Sequence, residues 1–185
     1  MSNMKKVKLN WQQIESCIQE LCRQMHNQGW RPDYVVGITR GGLVPAVMIS
    51  QYLDVPMHTL KVSLRHGTDD CESNLWMADE AFGVTPLEDL DAVGSRWDPS
   101  YRKKILIVDD INDSGATLQW IQKNWRSNCW ANQAEAWESV WHHNVRFAVL
   151  VNNESSEFKE VDYHAMSVNK HEDPQWIDFH WETWW

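Results

Sequence analysis

Apolar residues recur along this 185-residue chain in two patterns, one typical of helices and one typical of buried strands. The segment NWQQIESCIQELCRQM has apolar residues at helical spacing, with Asn10 as the expected N-cap and Gly29 just past its end. LVPAVMISQYL, with Pro45 in its first turn, and ATLQWIQKNW also predict helices. Continuous apolar runs predict buried strands in DYVVGI, MHTLKVSL, KKILIVDD and RFAVLVNN, and VDYHAMSV indicates a fifth strand.

This alternation predicts an α/β fold. Strands that are apolar on both faces and separated by helices form a mostly parallel sheet covered on both sides. We therefore expect one domain over residues 1–185, a length that suits a single core. Trp137 and Trp141 lie one helical turn apart in a Trp-rich stretch. Residues 66–100 are acidic and interrupted by Gly and Pro, and we expect them to form a lid or a disordered excursion.

Composition limits the binding partners and the cellular locations that we expect for this protein. The formal net charge of -9 argues against binding to nucleic acid or to anionic membranes, because both bind to clusters of Lys and Arg. The four cysteines include no Cys-x-x-Cys pair, which favours reduced thiols. The first ten residues are followed by no apolar signal region, and no run approaches membrane-spanning length. We expect a soluble, cytoplasmic protein.

In the segment ILIVDDINDSGAT, candidate ligand-binding residues come directly after a predicted strand. Ligands of parallel α/β sheets bind beyond the carboxyl ends of the strands, where Asp109 and Asp110 must lie. These carboxylates can accept hydrogen bonds from ribose hydroxyls, and Asp113 would face the anomeric carbon of the sugar. The turn that follows can hold a phosphate monoester with its backbone N–H groups and hydroxyls. That turn consists of Ser114, Gly115, Ala116 and Thr117. The alternative is that the acids cap a strand end and solvate a turn.

A second polar turn follows the first predicted strand, in VVGITRGGLVPA. Gly41 and Gly42 permit a close approach of the backbone, and Arg40 after Thr39 offers a bidentate donor for a diphosphate. The alternative is a tight strand-to-helix turn without a ligand.

Together the two turns resemble the pyrophosphate loop and the phosphoribosyl-diphosphate motif of the type I phosphoribosyltransferases. With the C-terminal WIDFHWE, their order is most similar to the xanthine-guanine and hypoxanthine phosphoribosyltransferases. The resemblance implies a five-stranded parallel core over about 33–150 and a small hood from about 1–12 and 151–185. Residues 66–100 and 129–144 look like insertions. We also expect a homo-oligomer, either a dimer or a tetramer.

The resemblance further implies transfer of ribose 5-phosphate from phosphoribosyl diphosphate (PRPP) to a 6-oxopurine, with Mg²⁺ as cofactor. Guanine, xanthine or hypoxanthine would be the base, and pyrophosphate would be released. Asp109 and Asp110 would hold the ribose hydroxyls directly or through Mg²⁺-bound water, and Glu182 would lie near the metal ion. Asp113 would accept the proton from the purine N7. The 66–100 loop would close over the reacting ribosyl centre.

The purine pocket of the family maps onto Trp176 and Ile177, where an indole can stack on a flat base. The structural alternative for Trp176 is a hood residue that packs on the core. One departure is Asn152, with Asn153 after it, where the family usually places a Lys that donates to the purine O6. An Asn amide can rotate to face a 6-oxo or a 6-amino group, which weakens the inferred 6-oxopurine preference. A second departure, Asn112 in place of an apolar residue, is expected to face away from the acids.

Three other functions stay open. An adenine or orotate transferase would use the same motifs. A regulator that senses PRPP is disfavoured by the acidic balance of the chain. A catalytically idle subunit is disfavoured because both acids, the Thr and the Arg-Gly-Gly turn are all present.

Overall fold

The structure is a computed structural model that describes residues 5–64, 71–86, 95–129 and 134–182. Its helices are α1 (Trp11–Asn27), α2 (Leu43–Leu53), α3 (Leu75–Phe82) and α4 (Ala116–Asn128). Its strands are β1 (Lys5–Leu9), β2 (Tyr34–Thr39), β3 (Met57–Lys61), β4 (Val84–Pro86), β5 (Ser95–Trp97), β6 (Ile105–Asn112), β7 (Val145–Asn153), β8 (Tyr163–Val168) and β9 (Gln175–Phe179). Short 3₁₀ helices cover Pro99–Tyr101, Ala134–Ser139 and His180–Glu182.

The centre of the fold is a five-stranded sheet in the order β3-β2-β6-β7-β8. Every neighbouring pair in it is parallel. The three inner strands are almost continuously apolar because helices cover both of their faces, whereas β3 and β8 are edge strands and only partly buried. The predicted five-stranded parallel α/β sheet is therefore confirmed.

Two helices cover each face of this sheet. On one face, Ile14 and Leu21 of α1 and Ile49 of α2 pack in one apolar cluster with Val35 and Leu106 of the sheet. On the other face, α3 and α4 bury their apolar residues against β2, β6 and β7. The result is the helix–sheet–helix layering that the alternating pattern predicted.

Asn10 is the N-cap of α1, as the sequence predicted, and it forms a capping box with Gln13. The Gln13 N–H donates to the Asn10 side-chain oxygen at 2.9 Å, and the Asn10 N–H donates to the Gln13 side-chain oxygen at 2.9 Å. This exchange satisfies backbone donors that the first helical turn leaves without partners, and such a cap stabilises a helix by about 1 kcal/mol.

Helix α3 corrects the interpretation of residues 66–100 as a lid or a disordered excursion, which is wrong for Leu75–Phe82. Met77, Ala78, Ala81 and Phe82 are buried in the core. The Glu80 carboxylate on the same helix accepts a hydrogen bond from the Tyr34 hydroxyl at 2.9 Å. Acids dominate the composition of this connection, but its apolar residues face the sheet. Residues 65–70 and 87–94 lie outside the described residues.

The Trp-rich stretch is also part of the core. The Trp137 and Trp141 rings stack at 5.1 Å with an interplanar angle of 25°, and Trp141 also stacks on Trp125 and Phe147. Trp137 lies in a 3₁₀ helix and Trp141 lies beyond its end, so the two rings stack without sharing an α-helix. The indoles fill the space between α4 and the sheet.

The terminal strands form a sheet of their own, because β1 pairs in parallel with β9. Leu9, Ile177 and Phe179 anchor this pair in the cluster beneath α1. Trp11, at the start of α1, packs beside Trp181 with the two ring centroids 6.2 Å apart, although Trp11 is 48% exposed.

The cysteines form no disulfide bond, in agreement with the prediction of reduced thiols; these are Cys17, Cys22, Cys71 and Cys129. Across the described residues, no helix has both the length and the apolar character that a membrane crossing requires.

The buried side of α3 gives a stability prediction. Phe82 is 3% exposed and contacts the Trp137 ring at 5.4 Å. Phe82→Ala is expected to lower the free energy of unfolding by about 3 to 5 kcal/mol, because it leaves a cavity in a packed core. Glu72→Ala, at an exposed position in the same connection, should change it by less than about 0.5 kcal/mol. Urea unfolding of both variants measures the difference, and equal stabilities would show that α3 does not belong to the core.

Candidate active site

The two polar turns meet where the order of the strands reverses. From β2 the chain passes through α2 to β3 on one side, and from β6 it passes through α4 to β7 on the other side. Because the two connections diverge, a crevice opens between the carboxyl ends of β2 and β6. Residues 39–42 and 109–117 include these two strand ends and the turns after them, so both motifs border this crevice.

Gly41 and Gly42 lie in direct contact with the end of β6. A Cβ added at Gly41 would be 2.5 Å from the Asp110 Cγ, and one added at Gly42 would be 2.9 Å from the Asp109 Cα. Neither distance leaves room for a side chain. The close approach of the turn to the acids therefore depends on glycine, above all at Gly42, where backbone atoms leave no space for a Cβ. Arg40, next to them, is exposed.

The acids at the end of β6 crowd one another. Burial raises the pKa of the Asp109 carboxyl well above its usual range, and the adjacent Asp110 carboxylate raises it further. Burial also raises the pKa of Asp110 to about 6, with an added contribution from the Glu182 carboxylate. Glu182, in the 3₁₀ helix after β9, thus lies close enough to act on Asp110. Crowded carboxylates of this kind favour a cation or a hydrogen-bond donor between them.

The turn from Ser114 to Thr117 leads into α4. Gly115 has φ +89°, in the left-handed region, and a Cβ there would be 2.5 Å from the Phe158 nitrogen. Ala116 begins the helix, so the first N–H groups of α4 point out of this turn. A cavity of about 400 Å³ lies beside it, lined by Asp113, Ser114, Ala116, Asn153, Ser155 and Glu157. The turn and its cavity can hold an anion such as a phosphate.

A network of hydrogen bonds joins the ends of β6 and β7. Asn112 is 1% exposed, and its Nδ2 donates to the Phe158 carbonyl at 2.9 Å and to Asn152 Oδ1 at 2.8 Å. The Ser156 hydroxyl donates to Asn112 Oδ1 at 2.9 Å. Asn112 thereby connects Asn152 with the loop that covers Gly115.

Asn153 connects the same loop to the turn of Asp113. Its Nδ2 donates to the Asp113 carbonyl at 2.9 Å, and its Oδ1 accepts from the Ser155 hydroxyl at 2.8 Å and from the Lys170 N–H at 3.1 Å. The buried side chain of Asn153 thereby connects three segments, which are the turn of Asp113, the loop of Ser155 and the turn of Lys170.

Lys170 belongs to the site, although its sequence context gave little signal. It lies in the turn between β8 and β9, and its Nζ is 2.9 Å from Asp113 Oδ1. The same Nζ lies 6.0 Å from the centroid of the Trp176 ring. Trp176 is 45% exposed, so the structural alternative of core packing does not describe it. Asp113, Lys170 and Trp176 thus converge on one side of the crevice.

Ile177 differs from its neighbour. It is 5% exposed and packs in the cluster beneath α1, so its side chain belongs to the core. Only backbone groups beside it remain to contact a ligand.

Comparison with known proteins assigns the fold to a family. The family model described as "phosphoribosyl transferase domain" matches residues 9–185. The chain belongs to the phosphoribosyltransferase family. It is 33% identical to a xanthine-guanine phosphoribosyltransferase of Cereibacter sphaeroides over 120 residues, which is 62% of each chain. The match thus spans less than two thirds of that relative.

Solved structures of other members of the family share this fold at lower identity. A purine phosphoribosyltransferase from Pyrococcus horikoshii superposes with a TM-score of 0.59 at 22% identity, covering 98% of this chain and 96% of the other. The xanthine-guanine-hypoxanthine phosphoribosyltransferase of Helicobacter pylori gives a TM-score of 0.59 at 18% identity, covering 96% of this chain and 94% of the other. These likenesses confirm the predicted fold.

The crowded carboxylates at the end of β6 predict a dependence of stability on pH. The native Asp110 carboxyl keeps its proton up to about pH 6, whereas the unfolded one releases it near pH 4. The native state therefore binds more protons in this window, and stability falls as the pH rises through it. In metal-free buffer, Asp110→Asn is expected to reduce this fall and to stabilise the protein at pH 7 by about 1 to 3 kcal/mol.

Urea unfolding between pH 4 and pH 7 measures this effect. Asp173→Asn is the matched control, because Asp173 is exposed and pairs with an exposed Lys5, and such pairs contribute about 0 to 1 kcal/mol. A lower stability of Asp110→Asn at neutral pH would contradict the repulsion between these acids.

Proposed function

We propose that this protein transfers ribose 5-phosphate from PRPP to a ring nitrogen of a 6-oxopurine, forming a nucleoside 5'-monophosphate and pyrophosphate. Guanine, xanthine and hypoxanthine are the candidate bases. The observation that carries the proposal is the convergence, at one crevice, of a glycine turn, two acids, an anion-binding turn and an exposed indole. The xanthine-guanine phosphoribosyltransferase relative supports the class of base.

The residues that bind PRPP are divided between the two turns. Ser114, Gly115, Ala116 and Thr117 would bind the 5'-phosphate with N–H groups at the start of α4 and with hydroxyls. Asp109 and Asp110 would accept hydrogen bonds from the two ribose hydroxyls. Thr39, Arg40, Gly41 and Gly42 would bind the pyrophosphate, with the exposed guanidinium of Arg40 as the bidentate donor.

Mg²⁺ fits the donors at the end of β6. Within the described chain, no group of three or more His, Cys, Asp or Glu side chains is arranged to hold a metal ion. Mg²⁺ commonly takes one or two carboxylates and completes its shell with water and substrate phosphates. One or two of Asp109, Asp110 and Glu182 would supply those carboxylates, and the mutual repulsion of these acids would be relieved by a dication. When bound, Mg²⁺ would neutralise charge on the departing diphosphate.

Trp176 would bind the purine base, and Asp113 would accept a proton from it. The indole would stack on the purine, which contributes about 1 to 3 kcal/mol in comparable stacks. As the purine N9 bonds to the anomeric carbon, the bond from that carbon to pyrophosphate breaks and the Asp113 carboxylate accepts the proton from N7. The Asn153 bond to the Asp113 carbonyl holds this residue in place during the transfer.

We also propose that about 1–12 and 151–185, of which 1–4 and 183–185 lie outside the described residues, form a hood beside the crevice. The pairing of β1 with β9 and the convergence of Trp176 with Asp113 support it. We further propose that the protein is homo-oligomeric and cytoplasmic. Light scattering of the purified protein tests the oligomeric state.

An assay of PRPP-dependent pyrophosphate release tests the proposed function. The purified protein is given Mg²⁺, PRPP and one of guanine, xanthine, hypoxanthine, adenine or orotate. Activity with one or more 6-oxopurines supports the proposal. Activity confined to adenine or orotate would assign the protein to another branch of the family, and PRPP binding without turnover would favour a regulator.

The role of Asp113 predicts a selective loss of turnover. Asp113→Asn should lower kcat by about 10²- to 10⁴-fold, because the general base is lost. Asp113 would also face the ribose of PRPP, but PRPP binding, measured by calorimetry, should change little, because Asp109, Asp110 and the turn 114–117 keep their contacts with the ribose and the phosphate. An unaltered kcat at saturating substrates would exclude Asp113 as the base.

Arg40 offers a test of PRPP binding. Arg40→Ala should raise the Michaelis constant for PRPP by about 10-fold or more, because charge-assisted hydrogen bonds contribute about 1.5 to 3 kcal/mol. The thermal midpoint should shift by no more than a few degrees, since Arg40 is exposed. Arg126→Ala, at an exposed position of α4, is the control and should leave both quantities unchanged. A large loss of stability with unchanged kinetics would indicate a structural role.

A further inference from the structure

The end of β7 is occupied by neutral amides whose orientation is fixed. The Nδ2 of Asn112 must face the Phe158 carbonyl, because a carbonyl can only accept, and the Ser156 hydroxyl donates to its Oδ1. The same Nδ2 donates to Asn152 Oδ1, so this oxygen is already engaged. The expectation that the Asn152 amide rotates to suit either a 6-oxo or a 6-amino group is therefore wrong.

A cation reaches the site from a different element. Lys170 extends from the turn between β8 and β9, and its side chain is only 16% exposed. Its ammonium lies 2.9 Å from the Asp113 carboxylate and near the ring of Trp176. The backbone N–H of Lys170 donates to Asn153 Oδ1, so the buried amide after Asn152 positions this Lys.

We propose that Lys170 is the specificity-determining residue that recognises the 6-oxo group of the base. This inference rests on the proposed function. It follows from the pairing of an acceptor, Asp113, with a donor, Lys170, at hydrogen-bond distance beside the exposed indole of Trp176.

The chemistry of the purine edge matches this pair. A 6-oxopurine about to react presents an N7–H donor and, next to it, the O6 acceptor. Asp113 accepts from N7–H, and the Lys170 ammonium donates to O6. A 6-aminopurine presents two donors along the same edge, so its amino group would meet the donors of Lys170 and one of them would lose its partner. Leaving a buried donor unpaired is the mechanism by which polar sites reject the wrong substrate.

A merely structural ion pair would behave differently. Asp113 is 52% exposed, and pairs with such access to water contribute about 0 to 1 kcal/mol to stability. Removal of the ammonium should then alter folding slightly and affect all bases alike. Recognition instead predicts a change in the ratio between bases.

The test uses Lys170→Met, which keeps the length of the side chain and removes its charge. At saturating PRPP, kcat/KM for 6-oxopurines should fall by about 10- to 100-fold, as expected when a charged donor is lost. The value for adenine should not fall, so the ratio of 6-oxopurine to adenine should drop by the same factor. Lys170→Arg should restore part of the ratio, because Arg keeps a charged donor. Lys123→Met, exposed on α4, is the matched control and should keep the wild-type ratio.

A second measurement does not depend on turnover. Calorimetry compares the binding of guanosine and adenosine 5'-monophosphates to the wild type and to Lys170→Met, with the thermal midpoint as a check of folding. The wild type should prefer the guanine nucleotide, and the variant should lose that preference.

The outcomes separate this inference from the proposed function. A folded Lys170→Met variant with an unchanged ratio in both assays would overturn the role of Lys170 and leave the proposed function standing. A wild type without turnover that still binds the two nucleotides with a Lys170-dependent preference would overturn the enzyme and support the recognition. A wild type that neither turns over any base nor binds either nucleotide would overturn both.

Discussion

The lack of side chains at Gly41 and Gly42 is the constraint on which the whole crevice depends. The turn after β2 contacts the end of β6, and a single Cβ at Gly41 would overlap the Asp110 carboxylate. Because the chain leaves these two strands toward opposite edges of the sheet, a crevice opens above this contact. Two motifs separated by about 70 residues in sequence thereby face one another across a space that a substrate can enter.

The carboxylates around this space are of two physical kinds. Asp109 and Asp110 have raised pKa values because burial and neighbouring acids oppose their charge. Asp113 instead has an ammonium partner, Lys170, within the protein. The first kind requires positive charge or hydrogen-bond donors from outside, which suits ribose hydroxyls and a metal ion. The Asp113 carboxylate is held by Lys170, beside the exposed ring of Trp176. Strongly perturbed acids cluster at functional sites for this reason.

Much of the fold could be predicted because its inner strands are apolar on both faces and its turns use residues with specific geometric roles. Gly115, with a positive φ, and Asn10, with its capping box, show how local chemistry fixes local structure. Helix α3 could not be predicted, because Asp79 and Glu80 between its buried residues make its composition resemble that of an exposed loop. Lys170 was missed since its contact with Asp113 joins residues far apart in sequence, and only the order of the strands brings them together.

The departures at Asn112, Asn152 and Asn153 are linked rather than independent. A Lys at the end of β7 would put a charge next to a buried amide network, and a buried charge without a partner is costly. With neutral amides there, Asn112 can bind the loop of Ser156 and Phe158 that covers the Gly115 turn, and Asn153 can bind the Asp113 turn and the backbone of Lys170. The positive charge then comes from Lys170, in the turn between β8 and β9. The same amides that take the place of a Lys on β7 thus position one between β8 and β9.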